Sequence, residues 1–262
     1  MNPASIALTT DFGTAGSYVA AMKGVILGIN PAARLVDVSH EIAPQDIRAA
    51  ALCLSQVVPF FPPGSIHVVV VDPGVGSDRR LLCVRMHEQV FLAPDNGVLS
   101  WTARGADTIE RIELSEPRFW RSEISPTFHG RDILAPVAAH LSLGVTPSQL
   151  GRPVGDWVQL PWPVPKPIPG GLEGELLAVD RFGNLLTNIR EPELPVAARS
   201  ALSVVCEATE IGPLVRAYSD VRDGELAALV GSSGLLEIAV RNGSAAARLG
   251  ARPGTRVRVA WA

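Results

Sequence analysis

The sequence predicts an α/β domain built on a largely parallel central sheet, followed by a smaller β-rich, barrel-like domain. Three observations predict it. Strand and helix periods alternate through the first half of the chain. One strand, residues 67–71 within IHVVVVDPGVGSDRR (66–80), has no polar face and suits only a buried position. A run with five prolines, LPWPVPKPIPGG (160–171), then separates this pattern from one of short strands. The expected division is 1–160 for the α/β domain, 161–171 for an extended linker, and 172–262 for the β domain.

In chain order, residues 5–10 read as a strand that ends in Thr10-Asp11-Phe12-Gly13. Residues 17–29 read as a helix, with Tyr18, Met22, Val25, Ile26 and Ile29 near helical spacing and Asn30-Pro31 ending it. Residues 34–38 form a second strand. A second helix is expected over 44–58, with Pro44 in its first turn. The valine strand follows. Residues 81–85 and 89–92 read as two strands joined tightly at His87-Glu88, and a short helix is expected at 98–102. After a strand at 109–114, Ile133, Leu134, Val137, Ala138 and Leu141 mark a helix with Pro136 near its start. Beyond the linker, short strands are expected at 174–180, 202–207, 226–230, 235–240 and 255–260, with a helical turn within 213–218.

Composition bounds the function. The chain is 47% hydrophobic and 19% charged, enough to bury a core. Net charge is −3 and the pI about 6.0, with no basic stripe for nucleic acid and no polybasic run for anionic membrane. No apolar run approaches the roughly 20 residues that span a bilayer, and the first ten residues lack the pattern of a signal peptide. Three scattered cysteines suit a reducing cytoplasm.

The valine strand stops at Asp72-Pro73-Gly74. Asp72 is therefore expected at the carboxyl end of a central strand, where open α/β sheets place ligands. Arg79 follows across a Gly-rich turn that can return it towards Asp72. An acid facing a guanidinium there makes a site; the same pair serves equally as a turn cap and a surface charge. Within Thr127-Phe128-His129-Gly130-Arg131-Asp132, His129 beside a helix start is more often a structural hydrogen-bonder than a catalyst. The loops 180–184 (DRFGN) and 231–234 (GSSG) suit a carboxylate or an adenine edge, or plain hairpin turns. There is no P-loop, nucleophile elbow or zinc-ligand spacing. The DFG at 11–13 lacks every other kinase element. What remains is a set of charged groups at loop ends that can bind a polar small molecule and polarise water.

Six segments in order are similar to the S-adenosylmethionine hydroxide adenosyltransferase family, relatives of the fluorinating and chlorinating enzymes. They are TDFG (10–13), VVDPGVGSDRR (70–80), APDNG (93–97), FHGRD (128–132), VDRFGNLLTNI (179–189) and GSSGLLEIAV (231–240). The resemblance implies hydrolysis of S-adenosyl-L-methionine to adenosine and L-methionine by water attack at ribose C5′, without a metal or other cofactor. It implies Asp72, Arg79 and His129 as the catalytic set. It implies Asp11 on the ribose hydroxyls, Tyr18 within the substrate-binding set, Asp180 facing the methionine ammonium, and Phe182 and Asn184 on the adenine. Ser232 and Ser233 would hold the methionine carboxylate, and backbone groups near Glu237 and Val240 would meet the adenine. It implies a homotrimer or dimer of trimers with sites at subunit interfaces. Halogenating relatives carry a Tyr–Pro pair where Asp72-Pro73 stands, an acid at the place of Gly16 and an Arg at that of Ser233. They also lack the His129 match, and fluorinating members add a loop after the strands near 85–95. These differences and the Asp72-Pro73 difference favour hydroxide over halide. Gly16 and Ser233 leave the methionine contacts open, and the sequence does not fix the preferred sulfonium epimer. A halide-dependent adenosyltransferase and a non-catalytic adenosine-binding protein are the alternatives.

Overall fold

The computed structural model describes residues 5–195 and 202–261, divided between two compact units, Met1–Pro161 and Trp162–Ala262. The first unit contains β1 (Ser5–Thr10), α1 (Tyr18–Ile29), β2 (Arg34–Ser39), α2 (Ile47–Val57), β3 (Ile66–Val70), β4 (Leu81–Met86), β5 (Gln89–Pro94), β6 (Glu110–Leu114), α3 (Ala135–Ser142) and β7 (Gly151–Pro153). Its sheet runs β2-β1-β3-β5-β4-β6-β7. The first four strands are mutually parallel and the last three pair antiparallel. The parallel sheet of the sequence reading thus forms the core of a mixed one. The reversal comes from His87 and Glu88, both at positive φ (52° and 57°), which close a tight hairpin between β4 and β5.

The valine strand is central because both faces of its sheet are covered. Val68 and Val70 share a cluster with Met22 and Ile26 of α1 and with Leu134 and Ala138. Val69 and Val71 join Ala50 and Leu54 of α2. Each such side chain contributes about 1.5–3 kcal/mol by leaving water, which fixes the strand whose end carries Asp72.

The second unit contains β8 (Lys166–Ile168), β9 (Gly171–Val179), β10 (Leu185–Arg190), β11 (Ser203–Cys206), β12 (Thr209–Gly212), β13 (Leu226–Val230), β14 (Leu235–Val240), α4 (Ala245–Leu249) and β15 (Arg256–Ala260). The antiparallel order is β12-β11-β15-β9-β10-β14-β13, with β8 on β9. Leu214, just after β12, bridges Ala228 of β13, so the sheet nearly closes into a barrel. Leu176, Leu185, Ile189, Val204, Leu236, Ile238, Val257 and Val259 belong to its core.

Several local expectations change. Helix α2 starts at Ile47, not Pro44, because Gln45 adopts φ +65° and Asp46 caps the helix by accepting from the Ala49 amide at 2.9 Å. Residues 98–102 are turns. The proline-rich run holds a strand after all: Lys166–Ile168 turns back on Gly171–Glu173 through Gly170 at φ +66°. Pro167 is tolerated there because β8 is an edge strand. The helical turn expected within 213–218 lies at Tyr218–Asp220 instead, because Val215 donates to the Ala228 carbonyl and stays extended against β13. The short strands β7, β10 and β12 and the five-residue α4 had no expectation.

Candidate active site

Parallel pairing of β1 with β3, ending at Thr10↔Val70, sets Asp11 and Asp72 at neighbouring strand ends. Asp11 Oδ2 accepts from the Gln45 amide at 2.7 Å. The turn behind it is tied by His40. Its Nδ1 pairs with Thr10 Oγ1 at 2.9 Å, and its carbonyl accepts from the Gly13 amide at 2.7 Å. His40 Nε2 in turn meets Asp37, which also accepts from Lys23 of α1.

Arg79 does return to Asp72. Its Nε donates to both carboxylate oxygens at 2.8 Å, and a terminal nitrogen donates to Oδ2 as well. The intervening turn needs glycine at 76, where φ is +83° and a Cβ would stand 2.5 Å from the Pro126 carbonyl oxygen. The same guanidinium donates to His129 Nδ1 at 3.0 Å. Guanidinium nitrogens only donate, so Nδ1 accepts and the ring proton sits on Nε2. Burial, with the Arg79 charge added to it, holds His129 below its ordinary pKa near 6.5.

His129 precedes a π-helical turn, Gly130–Leu134, in which the Ala135 amide donates to the Gly130 carbonyl. A Cβ at Gly130 would meet Val70 at 2.9 Å, so glycine lets this turn rest on the end of β3. Asp132 anchors it. The fully buried carboxylate accepts from Arg121, Arg131 and the Ser125 amide at 2.6–2.9 Å. Those donors outweigh burial and hold its pKa near 2.

Asp11, Asp72 and His129 line one cleft of about 370 Å³, together with Phe12, Tyr18 and Phe128. These three rings pack on one another with centroids 5.3–5.6 Å apart. The cleft therefore offers apolar walls, the carboxylates of Asp11 and Asp72 and a neutral imidazole, with the Arg79 guanidinium hydrogen-bonded to both Asp72 and His129. It can position a water and stabilise negative charge forming on it. Among the described residues no group of three or more His, Cys, Asp or Glu side chains is placed to hold a metal, and no helix is long and apolar enough to cross a membrane.

The remaining residues implied by the resemblance lie in the second unit. Asp180 closes its own turn: Oδ1 accepts from the Phe182 and Asn184 amides and Oδ2 from the Asn184 side chain, all at 2.8–2.9 Å. Phe182 is largely exposed. The loops 180–184 and 231–234 fall at opposite ends of the β10–β14 pair, since Leu185 faces Ile238 and Arg190 faces Leu235. Glu237 sits between them and accepts from Tyr218 Oη at 2.5 Å. Ser232 and Ser233 are exposed, whereas the Val240 side chain is in the barrel core. Sequence reasoning missed His40, Gln45 and Tyr218. The one available signal was Asp37-x-x-His40 at a strand end.

The residues that match family models are 6–151, to the SAM hydroxide adenosyltransferase N-terminal domain, and 174–258, to the C-terminal domain. The (R)-S-adenosyl-L-methionine hydrolase of Salinispora arenicola is 39% identical over 260 residues, covering 97% of each chain. A fluorinase of an Actinoplanes species is 29% identical over 267 residues, covering 89% of this chain and 90% of its own. The crystal structure of an uncharacterized conserved protein from Thermotoga maritima superposes with a TM-score of 0.92 at 35% identity, over 97% of this chain and 99% of that one. The chain belongs to the SAM hydroxide adenosyltransferase family.

Proposed function

We propose that this protein hydrolyses S-adenosyl-L-methionine, with the (R) sulfonium epimer named for its relatives as the preferred substrate. The observation that carries the reading is the hydrogen-bonded Asp72–Arg79–His129 set, whose acid and imidazole line one cleft with Asp11. Water attacks ribose C5′, the C5′–S bond breaks, and methionine leaves as a neutral thioether. The sulfonium is already an activated leaving group, so the reading calls for no cofactor and no acid on the departing side.

The water proton needs an acceptor. His129 Nδ1 is occupied by Arg79 and Nε2 carries the ring proton, so the imidazole acts as a donor. Asp72 is left as the acceptor: a carboxylate offers about four lone-pair sites, and Arg79 fills three. Arg79 then faces the hydroxide-like charge. A base placed this way typically contributes roughly 10²–10⁴-fold. Asp11, held by Gln45, would receive the ribose hydroxyls, and Tyr18 and Phe12 would bound the substrate. We also propose the cytoplasm as its place and a trimer, or a dimer of trimers, as its assembly, completing each site with Phe182 and Asn184 on the adenine and Ser232 and Ser233 on the methionine carboxylate.

The test is adenosine release from each epimer, with and without added chloride. Adenosine from the (R) epimer, unchanged by chloride, is expected. Formation of 5′-chloro-5′-deoxyadenosine would replace this reading with halide transfer, and tight adenosine binding without turnover would replace it with a binding protein.

A further inference from the structure

The segment APDNG (93–97) is one of the six that resemble the family, yet none of its residues is placed on the substrate. Asp95 and Asn96 come directly after β5, the strand that pairs with β3, and neither is among the residues that line the cleft. They hold the backbone on either side of the Asp72–Arg79 pair.

On one side stands Asp72. The ladders that fix β3 stop short of it: pairing with β5 ends at Val68 and pairing with β1 at Val70. Val71 is fully buried, and its carbonyl accepts from Asn96 Nδ2 at 2.9 Å. Without that donor the carbonyl would be a polar group buried out of reach of water. The Asn96 amide is itself fixed, because Oδ1 accepts from the Val98 amide at 3.1 Å. Asn96 thus holds the peptide group that joins Val71 to Asp72.

On the other side stands Arg79. The next residue, Arg80, is held twice by Asp95. The Arg80 carbonyl accepts from the Asp95 amide at 2.9 Å, and its Nε and a terminal nitrogen donate to Asp95 Oδ2 at 2.9 and 2.6 Å. Asp95 is buried, and its Oδ1 accepts from the Val158 amide at 2.7 Å. Between these two anchors residues 73 and 76–78 are exposed, so burial does little to fix the turn itself.

Resting on the function proposed above, we infer that Asn96 is a positioning residue for the hydrolysis. By holding the peptide before Asp72 it fixes where the free carboxylate lone pair meets the attacking water, while Asp95 holds the far end of the turn. A displacement of about 1 Å at such a group can cost roughly 100-fold in rate.

Initial rates and adenosine titrations of Asn96→Ala and Asn96→Asp test this. The second variant keeps an acceptor for the Val98 amide and loses the donor to Val71. Each should lower kcat by about 10- to 100-fold, with the adenosine Kd within about threefold. A residue that only stabilised the strand end would lower the melting temperature without that split. Because Asn96 acts through Asp72, adding either substitution to Asp72→Ala should change the residual rate less than about twofold. A kcat within about threefold of wild type in both variants, a parallel loss of adenosine affinity, or an undiminished further loss in the Asp72→Ala background overturns the inference. If Asn96→Ala does not fold, Asn96→Asp decides; failure of both to fold would assign Asn96 to stability and overturn the inference as well. Wild-type protein that releases adenosine from neither epimer overturns the proposed function itself.

Discussion

Arg79 divides the work among its partners. Because it occupies Nδ1 of His129 and most of Asp72, each group is left with one free role. Asp72→Ala should lower kcat by about 10²–10⁴-fold, the usual range for a positioned base, while the adenosine Kd stays within about threefold. Asp11→Ala should do the reverse, raising the adenosine Kd at least about tenfold through lost charge-assisted bonds. Isothermal titration and initial rates separate the two; equal losses of binding in both variants would contradict these roles. His129 gives a pH prediction. Its pKa is lowered, so the neutral ring persists below the ordinary value near 6.5. Once protonated, Nδ1 can no longer accept from Arg79. Activity should therefore hold as pH falls past 6.5 and drop only through the lower value. A rate profile whose acid limb lies above pH 6.5 would exclude this picture. The Asp72–Arg79 contact was legible in the sequence, since Arg79 follows seven positions later across a Gly-rich turn. The His129 contact was not, because it spans 50 positions and depends on how the chain folds between them.

The segment that makes that contact is held by Asp132. Its carboxylate gathers Arg121, Arg131 and the Ser125 amide beneath the π-helical turn. Arg121 and Arg131 are partly exposed and rehydrate without the carboxylate, so the loss is that of the charge-assisted bonds, about 1.5–3 kcal/mol. Asp132→Ala should lose stability of that order in urea unfolding and also activity, because His129 is released from its place. A loss below about 1 kcal/mol would contradict the anchoring role. The elements themselves were legible where one period dominated: β1, α1, β3, β13 and β14 all fall within two residues of expectation. Strand β10 was not. Its sequence, LLTNIR, places Thr187 and Asn188 in the middle, and both are buried. Asn188 earns its position by accepting from the Glu175 amide and donating to the Pro163 carbonyl. No local pattern announces such a partner. Strand β8 was hidden for the opposite reason: Pro167 within it and the prolines on either side argue against a strand, and only an edge position admits Pro167.

At the scale of the whole molecule, the α/β half, with helices on both faces of its sheet, and the β-rich second half follow from hydrophobic periodicity. Assembly does not, because it depends on surfaces that no periodicity marks. The residues implied for substrate fall in both units, with the charged trio and Asp11 in the first and the Glu237 corner in the second. The proposed trimer should appear as a single species of about three chain masses in sedimentation velocity, or about six for a dimer of trimers. A monomer that retains full activity would contradict sites shared between subunits. The central claim is attack by water at C5′, and one measurement tests it most directly: turnover of the epimer mixture in ¹⁸O-labelled water, read by mass spectrometry. Adenosine carrying the label in its 5′-hydroxyl, beside unlabelled methionine, is the predicted result. Unlabelled adenosine, or none from folded protein, would contradict the account.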